Sequence, residues 1–204
     1  MLTRRTLLAL SGFALIAAGS GWLSEARAQS LSPATAQQFV QQTGDQLVSI
    51  VNGPGSTEQK KAELQAVINR SVDVTGVARF CLGSALRRAT PQQLSEYIQL
   101  FHEVLMNNIT GKLGEYRGVR FAVGRAEPRA VGVEVHTVVN RPENAPANVD
   151  WIVQDVGGSP KIVDVVAEGT SLRITQRSDY ASYLARNGFS VQALIDAMRR
   201  QLQG

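Results

Sequence analysis

This 204-residue sequence is poor in the residues and signatures from which chemistry is usually built. Cys81 is the single cysteine, so no intramolecular disulfide can form and no metal site can rest on several thiolates. It lies between Phe80 and Leu82 and reads as a buried structural thiol. The two histidines, His102 and His136, each lack a second ligand at metal spacing. There is no G-x-S-x-G elbow and no H-E-x-x-H helix. Gly53 and Gly55 flank Pro54, which removes an amide, and no Lys-Ser/Thr follows, so they make no phosphate loop. Asp164 and Glu168, four apart on an expected strand, would stand about 13 Å apart. That is too wide for a retaining carboxylate pair. Blocks of Lys/Arg interleaved with aromatics are missing as well, which leaves nucleic-acid binding without support. The expectation is therefore a protein that is not an enzyme and carries no cofactor or metal.

Long apolar runs are equally scarce. One runs from Leu7 to Ala18, after Arg4 and Arg5 and before Ala26-Arg27-Ala28. A positive start, a short apolar centre and an A-x-A site define a secretory signal peptide over residues 1–28, by the Sec or the twin-arginine route. The run is too short to span a bilayer, which takes roughly 20 residues. No cysteine stands directly at the cleavage point, so the expected product, residues 29–204, is a freely soluble periplasmic single domain. Lys plus Arg number 21 against 17 acids; without the leader these fall to 18 and 16, a net charge near +2.

What the sequence does have is ordered periodicity. Ser32-Pro33 is a helix start, and Phe39, Val40, Leu47, Ile50 and Val51 recur at helical spacing until Asn52-Gly53-Pro54-Gly55. Thr57 opens a second helix, Asp73 a short third, and Thr90-Pro91 a long fourth whose apolar stripe runs from Leu94 to Leu113. Near Gly118 the period changes to two. Val119 to Val123, Val131 to Val139, Val149 to Val156 and Lys161 to Ala167 read as four strands, the last two joined by Gly157-Gly158-Ser159-Pro160. Two more helices close the chain, Leu172 to Arg186 and one capped by Ser190. The predicted fold class is α+β: an antiparallel sheet of about four strands, covered on one face by N- and C-terminal helices, with an apolar cavity between the layers.

Three segments carry a family resemblance. Asp73-Val74-Thr75-Gly76-Val77-Ala78-Arg79-Phe80-Cys81-Leu82-Gly83 is followed by Arg87-Arg88-Ala89-Thr90-Pro91-Gln92-Gln93. Lys161 to Leu172 reads K-I-V-D-V-V-A-E-G-T-S-L, and Arg177-Ser178-Asp179-Tyr180 precedes Gly188 and Leu194-Ile195. In this order they resemble the MlaC family of periplasmic lipid carriers, the toluene-tolerance or ABC-transporter auxiliary family. Pro160 replaces a usual Trp, Leu86 a common aromatic, and Ile109 stands near a usual Tyr. A hopanoid-associated branch, HpnM, is similar.

The resemblance implies a phospholipid held by its acyl chains and moved between an inner-membrane MlaD-type ring of an ABC transporter and an outer-membrane lipoprotein complex. Expected cavity residues are Phe101, Leu105 and Ile109 on the long helix, which share one face. From the sheet come Val133, Val135, Trp151, Val153, Val163 and Val165, each pair sharing a parity. Asp164, Glu168, Gly169, Ser171 and Arg177 are expected to fix the strand-to-helix crossover through a charge pair and a cap. The alternatives are an isomerase-type enzyme on a similar cone, for which His102, His136 and Asp164 are thin candidates, and an interaction protein with a filled core.

Overall fold

Residues 31–203 are described by the computed structural model; the expected leader lies outside them. Caps set the helix starts. Ser32 accepts from the Thr35 amide at 3.1 Å ahead of α1, Pro33–Asn52. Ser56 with Gln59, and Thr90 with Gln93, form reciprocal capping boxes for α2, Thr57–Ser71, and α4, Pro91–Thr110. Asp73 caps α3, Val74–Leu82, which runs on into a 3-10 turn, Gly83–Arg87. The long helix stops at Thr110, short of the expected Leu113. Gly111 follows it, and Leu113–Tyr116 is a separate 3-10 turn.

Five strands follow in an antiparallel meander ordered as in the chain: β1 Arg120–Pro128, β2 Val133–Asn140, β3 Ala147–Val156, β4 Ser159–Ala167 and β5 Thr170–Ser171. Sequence reading gave four. The fifth is two residues long, returned onto Val166 and Ala167 by Glu168-Gly169, both at positive φ, so no alternation announces it. The β3–β4 turn is likewise only Gly157-Gly158, at φ 63° and 83°. Ser159 and Pro160 belong to the strand. Val131 falls outside β2 because Gly132, at φ 76°, passes so close that an added Cβ would lie 2.2 Å from the Val153 carbonyl oxygen. Helices α5, Leu172–Arg186, and α6, Val191–Gln203, complete the fold.

The mixed architecture is as expected, but the helices do not form one layer over one face. Val133, Val135 and Val153 pack with Ala36 and Val40 beneath α1, joined by Phe121, Val123, Ala126 and Trp151. Gly44 makes this possible, since a Cβ there would lie 2.2 Å from the Phe121 ring. A second core holds Cys81, Tyr97, Phe101, Tyr180, Leu184 and Ile195 from α3 to α6 and contains no strand residue. Its centre is a triangle of rings, Tyr97, Phe101 and Tyr180, with centroids 6.0 to 6.4 Å apart.

Candidate functional site

The expected lining residues are divided between these cores. Val133, Val135 and Val153 lie in the sheet core at 2% exposure or less, with Trp151 half-buried at its edge. The Trp151 indole donates to Thr137 Oγ1 at 3.0 Å, and that hydroxyl donates to the Val149 carbonyl at 2.6 Å. Phe101 is in the helical core and Leu105 packs on its side, while Ile109 stays 36% exposed at the end of α4. A bulge separates the last pair. Ile152 pairs with Asp164 and Val153 with Ile162, so Val163 is the extra residue. Ile162 thus takes the row position expected of Val163, whereas Val165 stands opposite Trp151 as its parity requires. A two-sided cavity formed by these nine is not what the geometry shows.

Between the cores lies a third set. Leu64, Val67 and Ile68 of α2, Met106 of α4, and Ile162 and Val163 of β4 are buried but belong to neither cluster. The sequence placed Leu64, Val67 and Ile68 on one face of α2; nothing in it said that this face lies between two cores. Polar contacts along β4 add to this apolar packing. The Asp73 amide donates to the Ile162 carbonyl at 3.0 Å, and Lys161 Nζ donates to the Arg70 carbonyl. A shallow, open groove of about 450 Å³ lies beside this seam, lined by Asn69, Val72, Asp73, Val74, Thr75, His102, Val156 and Lys161.

The crossover from β4 to α5 is built on Asp164. Its carboxylate accepts from Ser171 Oγ at 2.6 Å and from the backbone amides of Val165 and Arg173 at 2.8 and 3.1 Å. Its ion-pair partner, at 3.3 Å, is Arg173; Arg177 is not in that pair. Arg173 and Arg177, one turn apart, both lie over the Phe80 ring at 4.6 and 4.9 Å. Ser171 caps α5 by accepting from the Ile174 amide, and Glu168 accepts from the Asn148 amide. Cys81 lies beneath this hub at 1% exposure. Burial, with Asp164 adding to it, pushes its thiol up to about 12, although Arg173 and Arg177 pull the other way. Burial likewise raises both Tyr97 and Tyr180.

The histidines are apart from the hub and from each other. His102 Nε2 meets Asn69 Oδ1 at 2.6 Å in the groove beside the seam. His136 lies on the other face of the sheet, its Nδ1 2.8 Å from Asp150 Oδ1, in a second groove of about 290 Å³. Its Nε2 is buried without a hydrogen-bond partner among the described residues and stands 4.0 Å from Glu127. Among the described residues no three His, Cys, Asp or Glu side chains converge as metal ligands. No helix there is long and apolar enough to cross a membrane.

A family model described as MlaC protein matches residues 41–200. Toluene tolerance protein ttg2D of Pseudomonas putida is 24% identical over 139 residues, 65% of this chain. The chain spans only 63% of that relative's length. A phospholipid-binding protein from Ralstonia solanacearum, solved in complex with a phospholipid, has the same fold, with a TM-score of 0.72 at 22% identity. That likeness covers 83% of this chain and 99% of the other.

Proposed function

The chain belongs to the MlaC family, and from that membership we propose that it is a periplasmic carrier holding phospholipid acyl chains in the seam between its two cores. The observation that carries this reading is the extent of the family match, which runs through both cores and the α2–α4–β4 seam between them. A two-chain lipid needs more room than the seam groove offers, so the cores part to admit it. Leu64, Val67, Ile68 and Met106 then line the space with Leu105, Ile109, Trp151, Val163 and Val165, while Phe101 stays at the centre of the helical core. Val133, Val135 and Val153 remain in the closed sheet core. The polar side chains of Asn69, His102 and Lys161 beside the seam leave the headgroup in water.

The energetics suit transport. Moving about 30 methylenes from protein to water costs roughly 25 kcal/mol at ~0.8 per methylene, so the cargo does not leak in transit. A bilayer is as apolar as the seam, so exchange with one is near balance. On this reading the carrier docks to an inner-membrane MlaD-type ring and an outer-membrane lipoprotein complex, and performs no catalysis.

Solvent extraction and mass spectrometry of the protein purified from the periplasm test the proposal. Phospholipid is expected at near one per chain. Leu105→Asp should fold, because the charge hydrates once the seam is empty, and should lose that lipid. An empty wild-type protein would sink the carrier reading, and a hopanoid in the extract would replace its cargo.

A further inference from the structure

One flank of α5 is open and unusually composed. Ile174, Arg177, Ala181 and Ala185 follow one another at spacings of three and four, so they share a face, and all four are exposed. Among the described residues Ile174 is the most exposed of the large apolar side chains at 58%, and Phe189, just beyond the helix, is 48% exposed. The 3-10 turn Gly83–Arg87 lies along this flank: Gly83 is against the Arg177 guanidinium, and the Arg88 guanidinium lies 5.2 Å over Phe189. From Val74 to Ser95 the chain has Arg79, Arg87 and Arg88 and not one acid. None of these three, nor Arg177, pairs with a carboxylate among the described residues. Asp179 is the only acid of α5 and lies roughly 150° round the helix from the flank, at 100° per residue.

We infer that this flank is a docking face for an anionic phospholipid bilayer. Arg177 and Arg88 stand on the flank with Arg87 beside Arg88 in the chain, all without a carboxylate partner among the described residues, and such a basic cluster attracts anionic lipid. Guanidiniums take phosphate oxygens in pairs. Ile174 and Phe189 are two separated apolar tips with small alanines between them. That composition suits shallow insertion at the headgroup level, where a protein interface would need a dry aromatic centre. The flank adjoins the hub that joins the cores, so a docked carrier would meet its lipid source with β4 and the seam close at hand. Only this last point rests on the carrier reading.

Co-sedimentation of the full-length protein with vesicles tests the inference. Equimolar phosphatidylglycerol and phosphatidylcholine vesicles should bind it at low salt, and pure phosphatidylcholine vesicles at least about tenfold less. Each cation removed should weaken binding roughly fivefold, so Arg88→Gln with Arg177→Gln should cost about twentyfold. Arg117→Gln with Arg141→Gln, on the β1–β2 side of the sheet away from β5, should cost nothing. Arg87→Gln with Arg88→Gln repeats the test on exposed positions outside α5 if Arg177→Gln perturbs the fold. Equal binding to both vesicles, or equal loss in the variant at Arg117 and Arg141, overturns the inference. So does a wild-type protein that ignores vesicles while these same arginines govern binding to a protein partner. Cargo is assayed separately in the supernatant: an empty protein that still sediments sinks the carrier reading and leaves the docking face standing.

Discussion

The two cores of this protein are made differently. The sheet core is β-branched and tight: three valines from two strands, one from α1, and a phenylalanine ring seated on a glycine. Its side chains have few rotamers and no slack. The helical core is aromatic and aliphatic, drawn from four helices, with Tyr97 tied to the Ala78 carbonyl at 2.9 Å. Each closes on itself, and between them lie the buried apolar side chains of α2, α4 and β4, tied by backbone and charged contacts along β4. On the carrier reading, a molecule so divided opens at the join by uncovering the α2–α4–β4 side chains and leaves each core packed, whereas a single continuous core would have to unpack.

The largest effect should come from placing one charge in each kind of site. Val135 is 0% exposed beneath α1. Val135→Asp buries a carboxylate with no partner, which costs several kcal/mol, and should unfold the protein. Leu105→Asp, at the edge of the helical core, should leave a cooperative thermal transition. Circular dichroism melts of the two variants decide the matter. If both unfold, the core is continuous and the comparison fails; if Val135→Asp folds, the closed core is the wrong one.

Next comes the pin between the halves. Asp164→Ala leaves the largely buried Arg173 without its carboxylate and releases the Ser171 hydroxyl. Loss of one partner of a buried pair costs about 3–5 kcal/mol. A urea midpoint lowered by less than about 1 kcal/mol equivalent would show that the hub does not join the halves. Arg177→Ala, which loses only a stacked cation on Phe80, should cost about 1 kcal/mol at most.

Much of this contrast was legible in the sequence, and its remainder was not, for physical reasons. The caps at Ser32, Asp73, Thr90 and Ser190 were legible because a short polar side chain before an apolar period satisfies orphan amides locally. The row of Val133, Val135, Trp151 and Val153 was legible because strand parity is strict. Val163 was misplaced because a bulge inserts a residue without a sequence mark. The packing face of α1 was read from Phe39, Val40, Leu47, Ile50 and Val51, yet of these only Val40 is buried, alongside Ala36, Thr43 and Gly44, where small side chains let the sheet approach. Periodicity tells which face of an element is buried and is silent about what it is buried against. A helix stripe on Phe101 and a strand row on Val135 therefore looked like two walls of one space.

The smallest effect at neutral pH, and the sharpest probe of the helical core, is that of Cys81. Its thiol is neutral when protonated, and burial disfavours the thiolate, so its folded value lies near 12 against 9.0 for the free side chain. A raised folded value means that the unfolded chain gives up this proton first. The contribution is therefore fully present below pH 9 and is lost as pH rises through 12. Cys81→Ala should lose less stability than the wild type between those limits and run parallel to it below pH 9, which removes the common contribution of Tyr97 and Tyr180. At neutral pH the native thiolate fraction is about a thousandfold below that of a free thiol, so a thiol reagent should label Cys81 only after denaturant opens the helices. Adding phospholipid vesicles then separates the halves: if the cores part at the seam, cargo exchange leaves Cys81 unlabelled, because the helical core opens as one piece. Rapid labelling during exchange would mean that the lipid enters the helical core itself, and the seam would no longer be where the molecule divides.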